Sequence, residues 1–354
     1  MADEAPIDPA RHNEVLQDHA VRTLLRFSAR GGADFDSTEL ISRLGGLEAF
    51  PAVSVGGLLA IARSSGLHLN AAHADVDEAI ALERPFLTYL RRGPNDEAGV
   101  DLVHVEEVRA RSVIIARDLF GTQRMPRSVF EQRWSGLLLF LPRHDGQDGQ
   151  EVAGFRKGVR VIPALLTPPE CTELIRYCEA ACFRRSRVLQ RRPGGETDAV
   201  DSKVRSSSSV VLNDRRHPVL ARLYRACAEM EGVDERDIEQ IQCVRYKRHQ
   251  RFRPHFDAGV DLPRLATYLL YLNDDFQGGG THFPMLDLTV DPKAGSCLRF
   301  DSCHSDGRVV WPSEHGGLPV TSGVKYALNI WVRCPRRVAR LVGRVSEPVL
   351  AASA

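Results

Sequence analysis

The stretch IQCVRYKRHQRFRPHFD, residues 241–257, opens the part of the chain whose pattern decides the fold. It starts with an apolar strand-like run, and similar short runs follow it: ATYLLYLN at 266–273, SCLRF at 296–300, VVW at 309–311 and ALNIWVR at 327–333. Turn sequences such as NDDFQGGG separate these runs, as is typical of paired antiparallel strands. The pattern therefore predicts an antiparallel double-sheet barrel of the jelly-roll class, also called a double-stranded β-helix.

Two helices are predicted to flank this barrel on its N-terminal side. The sequence TPPE at 167–170 has the form of a capping box with proline at the first helical position, and the helix after it should bury Leu174, Cys178 and Ala181. A second helix is predicted near Pro218–Met230. All eight cysteines lie between Cys171 and Cys334 without a CxxC pair, so we interpret them as buried thiols rather than as a zinc site.

The N-terminal half has a different order, with helices first and strands afterwards. Leu16, Ala20, Leu24 and Phe27 share helical spacing, and Ser54 is placed to cap a second helix. Four apolar runs then predict strands of an antiparallel sheet: PFLTYL at 85–90, GVDLVHVEEV at 99–108, SVIIARDL at 112–119 and GLLLFLP at 136–142. Helices segregated from such a sheet predict an α+β domain.

These patterns divide the 354-residue chain into two domains. We expect an N-terminal domain over 1–143, a polar, glycine-rich linker over 144–158, a β domain over 159–340 and a tail over 341–354. The 47 basic and 46 acidic residues balance, so neither a nucleic acid nor a membrane is an expected partner. The acidic N-terminus does not look like a secretory signal, which favours a cytoplasmic protein; the oligomeric state is left open.

The main chemical signal is His255-Phe256-Asp257. On a strand, residues i and i+2 point to the same face, so the imidazole and the carboxylate would project together. One more histidine would complete the set of two histidines and one carboxylate that holds Fe(II) with open positions, and His282, His304 and His315 are the candidates. Lys325, ten residues after His315, can pair with a dicarboxylate whose other end chelates the iron.

Residues 160–333 resemble the prolyl 4-hydroxylase domain of the Fe(II)- and 2-oxoglutarate-dependent dioxygenases. The matching pieces include VRSSSSVVL, VRYKRHQRFRPHFD, RLATYLLYLNDDFQGGGTHFP, PKAGSCLRF, HSDG, HGGLPV and VKYALNIWVR, in the order of the family. His304 falls in the HSDG turn, which argues against it as a ligand. The resemblance implies iron ligation by His255, Asp257 and His315, binding of 2-oxoglutarate by Lys325 with Tyr246, a pocket lined by Trp331 and a substrate contact by Arg264.

The resemblance also implies the reaction. The enzyme would use Fe(II), dioxygen and 2-oxoglutarate, with ascorbate as a reductant, to hydroxylate an unactivated C–H bond, by default on a proline of a peptide or protein. Gly280 stands where the family has glutamate, and His282 stands where an aliphatic residue is usual, so the substrate is the open question. The alternatives are a hydroxylase of a free amino acid or small natural product and a catalytically silent scaffold. A loose, arginine-rich stretch at 184–203 is interpreted as a surface loop or a mobile flap.

The N-terminal half resembles the papain-like peptidase domain of bacteriocin exporters, in a degenerate form. That family needs a cysteine nucleophile, and this chain has no cysteine before Cys171; His19 or a neighbour stands at the nucleophile's place, after Gln17. Asp101 occupies the position of the catalytic histidine, His104 is out of phase, and only Asp118 is retained. The resemblance implies a non-catalytic groove that recognises a peptide segment; the alternative is a domain kept for packing or dimerisation.

Overall fold

The structure is a computed structural model that describes residues 8–45, 54–92, 99–116, 121–142, 158–191, 197–200, 204–259 and 263–334. The chain forms two compact units. Unit 1 comprises Met1–Lys157 together with two short segments, His282–Thr289 and Glu314–Gly316, and unit 2 comprises the rest. The predicted linker, apart from Gly158, and the predicted tail lie outside the described residues. The exact domain boundaries therefore remain a prediction.

Unit 1 begins with helices whose ends are set by side-chain caps. The expectation of one helix running from Leu16 to Phe27 is wrong, because the Asp18 carboxylate accepts hydrogen bonds from the backbone N–H groups of Ala20 (2.7 Å) and Val21 (3.1 Å) and starts a new helix there. Ser54 caps α4 through the Gly57 N–H at 3.1 Å, as predicted. The helices are α1 Pro9–Val15, α2 His19–Arg30, α3 Ser37–Gly45, α4 Val55–Ser64, α5 Val76–Ala81 and α6 Arg127–Arg133.

Unit 1 also contains a six-stranded antiparallel sheet in the order β1-β6-β2-β3-β4-β5. Helices α1–α4 precede it in the chain, whereas α5 lies between β1 and β2 and α6 between β5 and β6. Its core contains Phe86, Val105, Phe130 and Trp134, which are all buried. All four predicted strands are part of the sheet, so the α+β prediction for this half is confirmed. The strands are β1 Asn70–His73, β2 Phe86–Arg91, β3 Val100–Val108, β4 Ser112–Ala116, β5 Thr122–Pro126 and β6 Leu137–Phe140.

The second half contains two long helices, α7 Pro168–Ala180 and α8 Pro218–Glu231, which both precede the strands that carry the site residues. The capping box at the start of α7 is confirmed, because the Thr167 N–H donates to the Glu170 carboxylate (2.8 Å) and Thr167 Oγ1 accepts from the Glu170 N–H (3.5 Å). Leu174 and Cys178 enter the core as expected. Seven of the eight cysteines are buried as predicted, whereas Cys182, which follows the end of α7, is exposed. Ala181 instead caps the end of α7 and is only half-buried, because the helix ends one residue earlier.

The barrel strands form a seven-stranded antiparallel sheet, in the order β7-β18-β14-β21-β12-β11-β8, and a four-stranded sheet, β13-β19-β16-β17. This double-sheet architecture confirms the jelly-roll prediction. VVW is not a strand: Val309 makes a single bridge to Cys303, and Trp311–Ser313 form a short 3-10 helix. Within the described residues, no helix is both long and apolar enough to cross a membrane.

The strands of the second half are β7 Arg160–Ile162, β8 Arg184–Arg185, β9 Val188–Arg191, β10 Thr197–Val200, β11 Ser208–Leu212, β12 Ile241–Tyr246, β13 Phe252–His255, β14 Arg264–Tyr271, β15 Gln277–Gly278, β16 Thr281–Phe283, β17 Leu288–Val290, β18 Cys297–Asp301, β19 His315–Gly317, β20 Val320–Ser322 and β21 Lys325–Arg333.

Candidate metal centre and co-substrate site

The structure brings together His255, Asp257 and His315. One ligand atom from each residue lies within 4.8 Å of the other two. His255 is the last residue of β13 and His315 is the first residue of β19, whereas Asp257 lies in a bend after the strand has ended. The pairing of His255 with Asp257 was predicted from strand alternation, but the structure achieves it with a bend. His255 Nε2 and Asp257 Oδ1 are 3.5 Å apart.

The other two candidate histidines lie elsewhere. His282 Nδ1 contacts Thr289 Oγ1 at 3.0 Å, and its half-buried position lowers the pKa of its imidazole. His304 is exposed, in a turn closed by its backbone N–H donating to the carbonyl of Arg308 at 2.8 Å. Of the three alternatives left open by the sequence, the structure therefore places only His315 beside His255 and Asp257.

The hydrogen bond of His255 fixes which of its nitrogens can act as a ligand. Its Nδ1 lies 2.9 Å from the carbonyl oxygen of Arg253, and because a carbonyl only accepts, Nδ1 carries the proton. The lone pair is then on Nε2, which faces Asp257. The Phe252 ring stacks on the imidazole with ring centroids 3.6 Å apart and an interplanar angle of 19°, which holds its orientation. This is the hydrogen-bonding arrangement found around metal-ligating histidines.

Asp257 is oriented by residues that the sequence reasoning missed. Thr267 Oγ1 donates to Asp257 Oδ2 at 2.8 Å, and the same hydroxyl contacts Ser302 Oγ at 2.8 Å. The Arg264 guanidinium donates to the backbone carbonyl of Asp257 at 3.1 Å. The signal in the sequence was Thr267, a hydroxyl in the apolar run ATYLLYLN, where a buried polar group needs a partner.

The donor atoms of the three side chains suit a single divalent metal ion, and the one pair with a measured separation meets the distance limit. Two donors that each lie roughly 2.1 Å from an ion can be at most roughly 4.2 Å apart, and the 3.5 Å between His255 Nε2 and Asp257 Oδ1 meets this limit. The donor set of two imidazoles and one carboxylate is the one that non-haem Fe(II) oxygenases use, and it leaves positions open. His315 is buried, and its ring centroid lies 5.7 Å from that of Phe283.

Lys325 is buried at the start of β21, directly opposite Tyr246 in the β12–β21 pairing. Its side chain is bounded by two aromatic rings, with Nζ lying 5.7 Å from the Tyr246 ring centroid and 5.1 Å from that of Tyr271. Nζ donates to the Gly279 carbonyl at 2.6 Å. Burial lowers the pKa of Lys325 to about 7. This environment suits an amine that becomes fully charged when an anion arrives.

Gly279 shapes the wall beside this lysine. Its φ of +67° lies in the left-handed region, and a Cβ there would come within 2.9 Å of Phe276 Cε2 and 3.2 Å of Lys325 Cδ. Gly279 and Tyr271 were not among the predicted site residues. The QGGG sequence at 277–280 was the available signal, because a glycine is needed where the backbone closely approaches another group.

Arg264 and Trp331, predicted for substrate and pocket, form a buried pair. The Arg264 guanidinium lies 3.8 Å from the Trp331 ring centroid. It also makes a bidentate ion pair with Glu239 at 2.9 and 2.8 Å, in addition to its bond to the Asp257 carbonyl. This geometry supports the loop that carries Asp257. The roles in substrate contact and pocket lining stay predictions.

The residues of unit 1 that the sequence aligns with the peptidase catalytic positions lie in different side-chain environments. His19 is the first residue of α2 and is exposed. Gln17, two residues before it, is also exposed. Asp101 forms an ion pair with Arg92 at 2.8 Å. His104 is buried edge-on against Phe27 at 5.1 Å, and burial, with a smaller effect of Arg30, lowers its pKa to about 3. Asp118 lies outside the described residues.

The start of the arginine-rich stretch is not a loop, because the exposed Arg184 and Arg185 form β8 and pair with Ser209 and Ser208 of β11. Residues 188–191 and 197–200 are described in their backbone alone. Val188–Arg191 pairs with Thr197–Val200 as a two-stranded antiparallel ribbon. The residues between these strands, and 201–203 after them, lie outside the described part. The interpretation of 184–203 as a flap therefore stays a prediction.

Two family models match the chain. The 2OG-Fe(II) oxygenase superfamily matches residues 241–333, which contain all three clustered side chains and Lys325. The Peptidase C39 family matches residues 47–146, in the half that resembles a papain-like peptidase. Both resemblances drawn from the sequence are thereby confirmed. The oxygenase match also confirms Fe(II) and 2-oxoglutarate as the expected cofactors.

Individual proteins with known names are also similar to this chain. Prolyl 4-hydroxylase 1 of Arabidopsis thaliana is 31% identical over 205 residues, which cover 52% of this chain and 71% of the relative. A putative prolyl 4-hydroxylase of Acanthamoeba polyphaga mimivirus is 28% identical over 186 residues, covering 49% and 73%. Among solved structures, the 2-oxoglutarate complex of a viral collagen prolyl hydroxylase from Paramecium bursaria Chlorella virus 1 has 25% identity and a TM-score of 0.40, covering 49% of this chain and 95% of that one. Because this chain is 31% identical to the plant relative over more than two thirds of that relative's length, it belongs to the prolyl 4-hydroxylase family of 2-oxoglutarate- and Fe(II)-dependent oxygenases.

Proposed function

We propose that this oxygenase hydroxylates proline residues in a peptide or protein, with its iron held by His255, Asp257 and His315. The observation that carries the proposal is the convergence of these three side chains, with the His255 tautomer and the Asp257 carboxylate already fixed by hydrogen bonds. Proline is the proposed acceptor because the matched relatives are prolyl 4-hydroxylases.

When bound, Fe(II) with 2-oxoglutarate and dioxygen supplies the oxidant for an unactivated C–H bond, and 2-oxoglutarate leaves as succinate and carbon dioxide. The chain's own residues prepare this chemistry. The Arg253 carbonyl accepts from Nδ1 of His255, so in the metal-binding tautomer the lone pair is on Nε2, on the side of Asp257. Thr267 occupies Asp257 Oδ2, which leaves Oδ1 on the side of His255. Because the protein would supply only three ligands, the ion would keep positions for the co-substrate and dioxygen.

Lys325 is proposed to bind the distal carboxylate of 2-oxoglutarate, with Tyr246 beside it. A buried ammonium pays a desolvation cost that a carboxylate partner offsets through a charge-assisted hydrogen bond. Because its pKa is lowered to about 7 in the absence of an anion, part of the Lys325 population takes up a proton when the anion binds near neutral pH. The left-handed Gly279 lets the chain pass close to this side chain.

Unit 1 is proposed to recognise part of the peptide substrate without cutting it. The Peptidase C39 match supports a peptide-binding ancestry, and the lack of any cysteine before Cys171 removes the nucleophile. Binding a remote segment of the substrate would raise the effective concentration of the acceptor proline at the iron site. We expect a substrate peptide without that segment to show a higher KM; an unchanged KM would contradict the recognition role.

The experiment for the main proposal is an assay of succinate release and oxygen insertion on a panel of proline-containing peptides. The purified full chain is supplied with Fe(II), 2-oxoglutarate and ascorbate. Asp257→Ala should abolish both signals, whereas Asp214→Ala, which changes an exposed carboxylate, should leave them unchanged. Turnover of free proline but of no peptide would support the small-molecule alternative. No turnover by the wild type with any acceptor, and no effect of Asp257→Ala, would refute the proposal.

A further inference from the structure

The residue immediately before the ligand His315 carries a fully buried charge. The Glu314 side chain is 0% exposed. Its partners are two arginines of helix α2: Arg26 donates from Nε to Oε2 at 3.0 Å and from Nη2 to Oε1 at 2.5 Å, and Arg22 donates from Nη1 to Oε1 at 3.1 Å. The segment Glu314–Gly316 and helix α2 belong to the same compact unit. Both carboxylate oxygens of Glu314 therefore have charged donors from one helix.

The arrangement is rigid for physical reasons. Arg22 and Arg26 are four residues apart, so they lie on one face of the helix and reach the same point. The planar guanidinium of Arg26 binds the carboxylate through two bonds, which fixes orientation as well as distance. A carboxylate taken fully out of water is strongly unfavourable unless it keeps such partners, so Glu314 cannot rotate away without a large cost.

Holding the Glu314 side chain also holds the backbone of the next residue. His315, the first residue of the three-residue strand β19, is bonded directly to Glu314, so a carboxylate fixed in position limits where the His315 backbone can lie. A second contact within unit 1 acts on the same residue, because Phe283 of the segment His282–Thr289 lies against the His315 ring. One of the three candidate ligands is thus held by residues of unit 1.

We propose that Arg26, assisted by Arg22, is a positioning residue for the metal ligand His315 and acts through the buried carboxylate of Glu314. The inference rests on the proposed function, because it assumes that His315 binds the metal. It gives helix α2 a role in positioning a metal ligand. Peptide recognition is then not the sole use of the N-terminal half.

The test measures metal binding directly, with Co(II) as the probe in the absence of turnover. We expect Glu314→Gln and Arg26→Gln each to lower Co(II) affinity by about 10-fold, the lower end of the effect of residues that orient metal ligands. At saturating Co(II), we also expect a changed visible d–d spectrum, because the His315 imidazole is less well fixed. Arg30→Gln is the matched control: Arg30 is on the same helix but pairs with Glu106 and Asp287 at a partly exposed position. It should leave both readouts at the wild-type values.

A second variant keeps the test decisive if a lone buried charge prevents folding. Arg26→Met combined with Glu314→Leu removes both charges and retains apolar bulk, a replacement that folded proteins commonly tolerate. The proposal expects this double variant to fold, with a thermal midpoint near that of the wild type, and still to show the weaker Co(II) binding and changed spectrum. Wild-type affinity and spectrum in the double variant would overturn the proposal.

Failure of this inference can be told apart from failure of the proposed function. If the wild type binds Co(II) and loses it in Asp257→Ala, but Glu314→Gln and the double variant bind like the wild type, only the positioning role is wrong. If the wild type binds no Co(II), or Asp257→Ala has no effect on its binding, the metal site itself is wrong and the positioning role falls with it.

Discussion

Replacing Lys325 by methionine should stabilise the metal-free protein while abolishing the binding of 2-oxoglutarate. Burial lowers the pKa of this amine from 10.5 to about 7. At about 1.4 kcal/mol per pKa unit, burying the lysine costs about 5 kcal/mol of folding free energy at pH 7. Methionine removes that cost but also loses the hydrogen bond to the Gly279 carbonyl, which contributes about 1 kcal/mol. The expected net gain in stability is about 4 kcal/mol at pH 7.

The sign of the pH dependence follows from the lowered pKa. Between pH 7 and 10.5 the folded protein holds Lys325 mostly neutral, whereas the unfolded chain still holds it protonated, so the unfolded state binds more protons. Lys325 therefore makes the wild type more stable as pH rises through this window, by about 1.4 kcal/mol per pH unit. The advantage of the methionine variant should shrink from about 4 kcal/mol at pH 7 to about 1 kcal/mol at pH 9.

Denaturant unfolding of the metal-free proteins at pH 7 and pH 9 measures this difference. Titration calorimetry with 2-oxoglutarate and Co(II) then measures the loss of co-substrate binding, expected to exceed 100-fold because the distal carboxylate loses its charged partner. Lys247→Met is the control, since Lys247 is an exposed lysine of the same unit and should change neither quantity. A methionine variant that is less stable at pH 7, or whose advantage does not shrink at pH 9, would refute the burial argument.

Two further predictions concern the groups around the site. Gly279→Ala places a Cβ 2.9 Å from Phe276 and 3.2 Å from the Lys325 side chain, at a positive φ. We therefore expect calorimetry to show about 10-fold weaker 2-oxoglutarate binding, and unfolding to show a stability loss of about 1–2 kcal/mol. The control Gly56→Ala, in open space on a helix, should instead be neutral or slightly stabilising. Thr267→Val removes the hydrogen bond to Asp257 Oδ2, so Co(II) titration should show about 10-fold weaker binding. The control Thr172→Val on α7 should bind Co(II) like the wild type. Equal Co(II) affinities for the two variants would contradict the orienting role of Thr267.

The sequence was informative wherever one short segment sets the geometry by itself. The capping box at Thr167 and the cap at Ser54 depend on bonds across three residues, and both were predicted correctly. His255 and Asp257 were also paired correctly, although strand alternation was the wrong local reason, since β13 ends at His255. The break after Leu16 was missed because an apolar helical period continues across it, while the deciding group is the Asp18 carboxylate.

Contacts between distant parts of the chain could not be predicted in this way. Thr267 and Asp257 are ten residues apart on different segments, and Arg26 and Glu314 are separated by 288 positions. No periodicity relates such residues, because their proximity is a product of the packing of whole sheets and helices. Residue chemistry alone could not choose His315 over His282 and His304, since all three are histidines; the family resemblance implied His315, and the structure places it beside His255 and Asp257.

The peptidase-like half is held together by contacts that do not involve a catalytic residue. Buried apolar residues such as Phe86 and Phe130 stabilise its sheet, and their packing does not require a catalytic nucleophile. His104, with a pKa near 3, is held neutral by burial and serves as a packing partner of Phe27 rather than as a base. Helix α2, which starts at His19, carries Arg22 and Arg26 on the next two turns, where they hold the carboxylate beside His315.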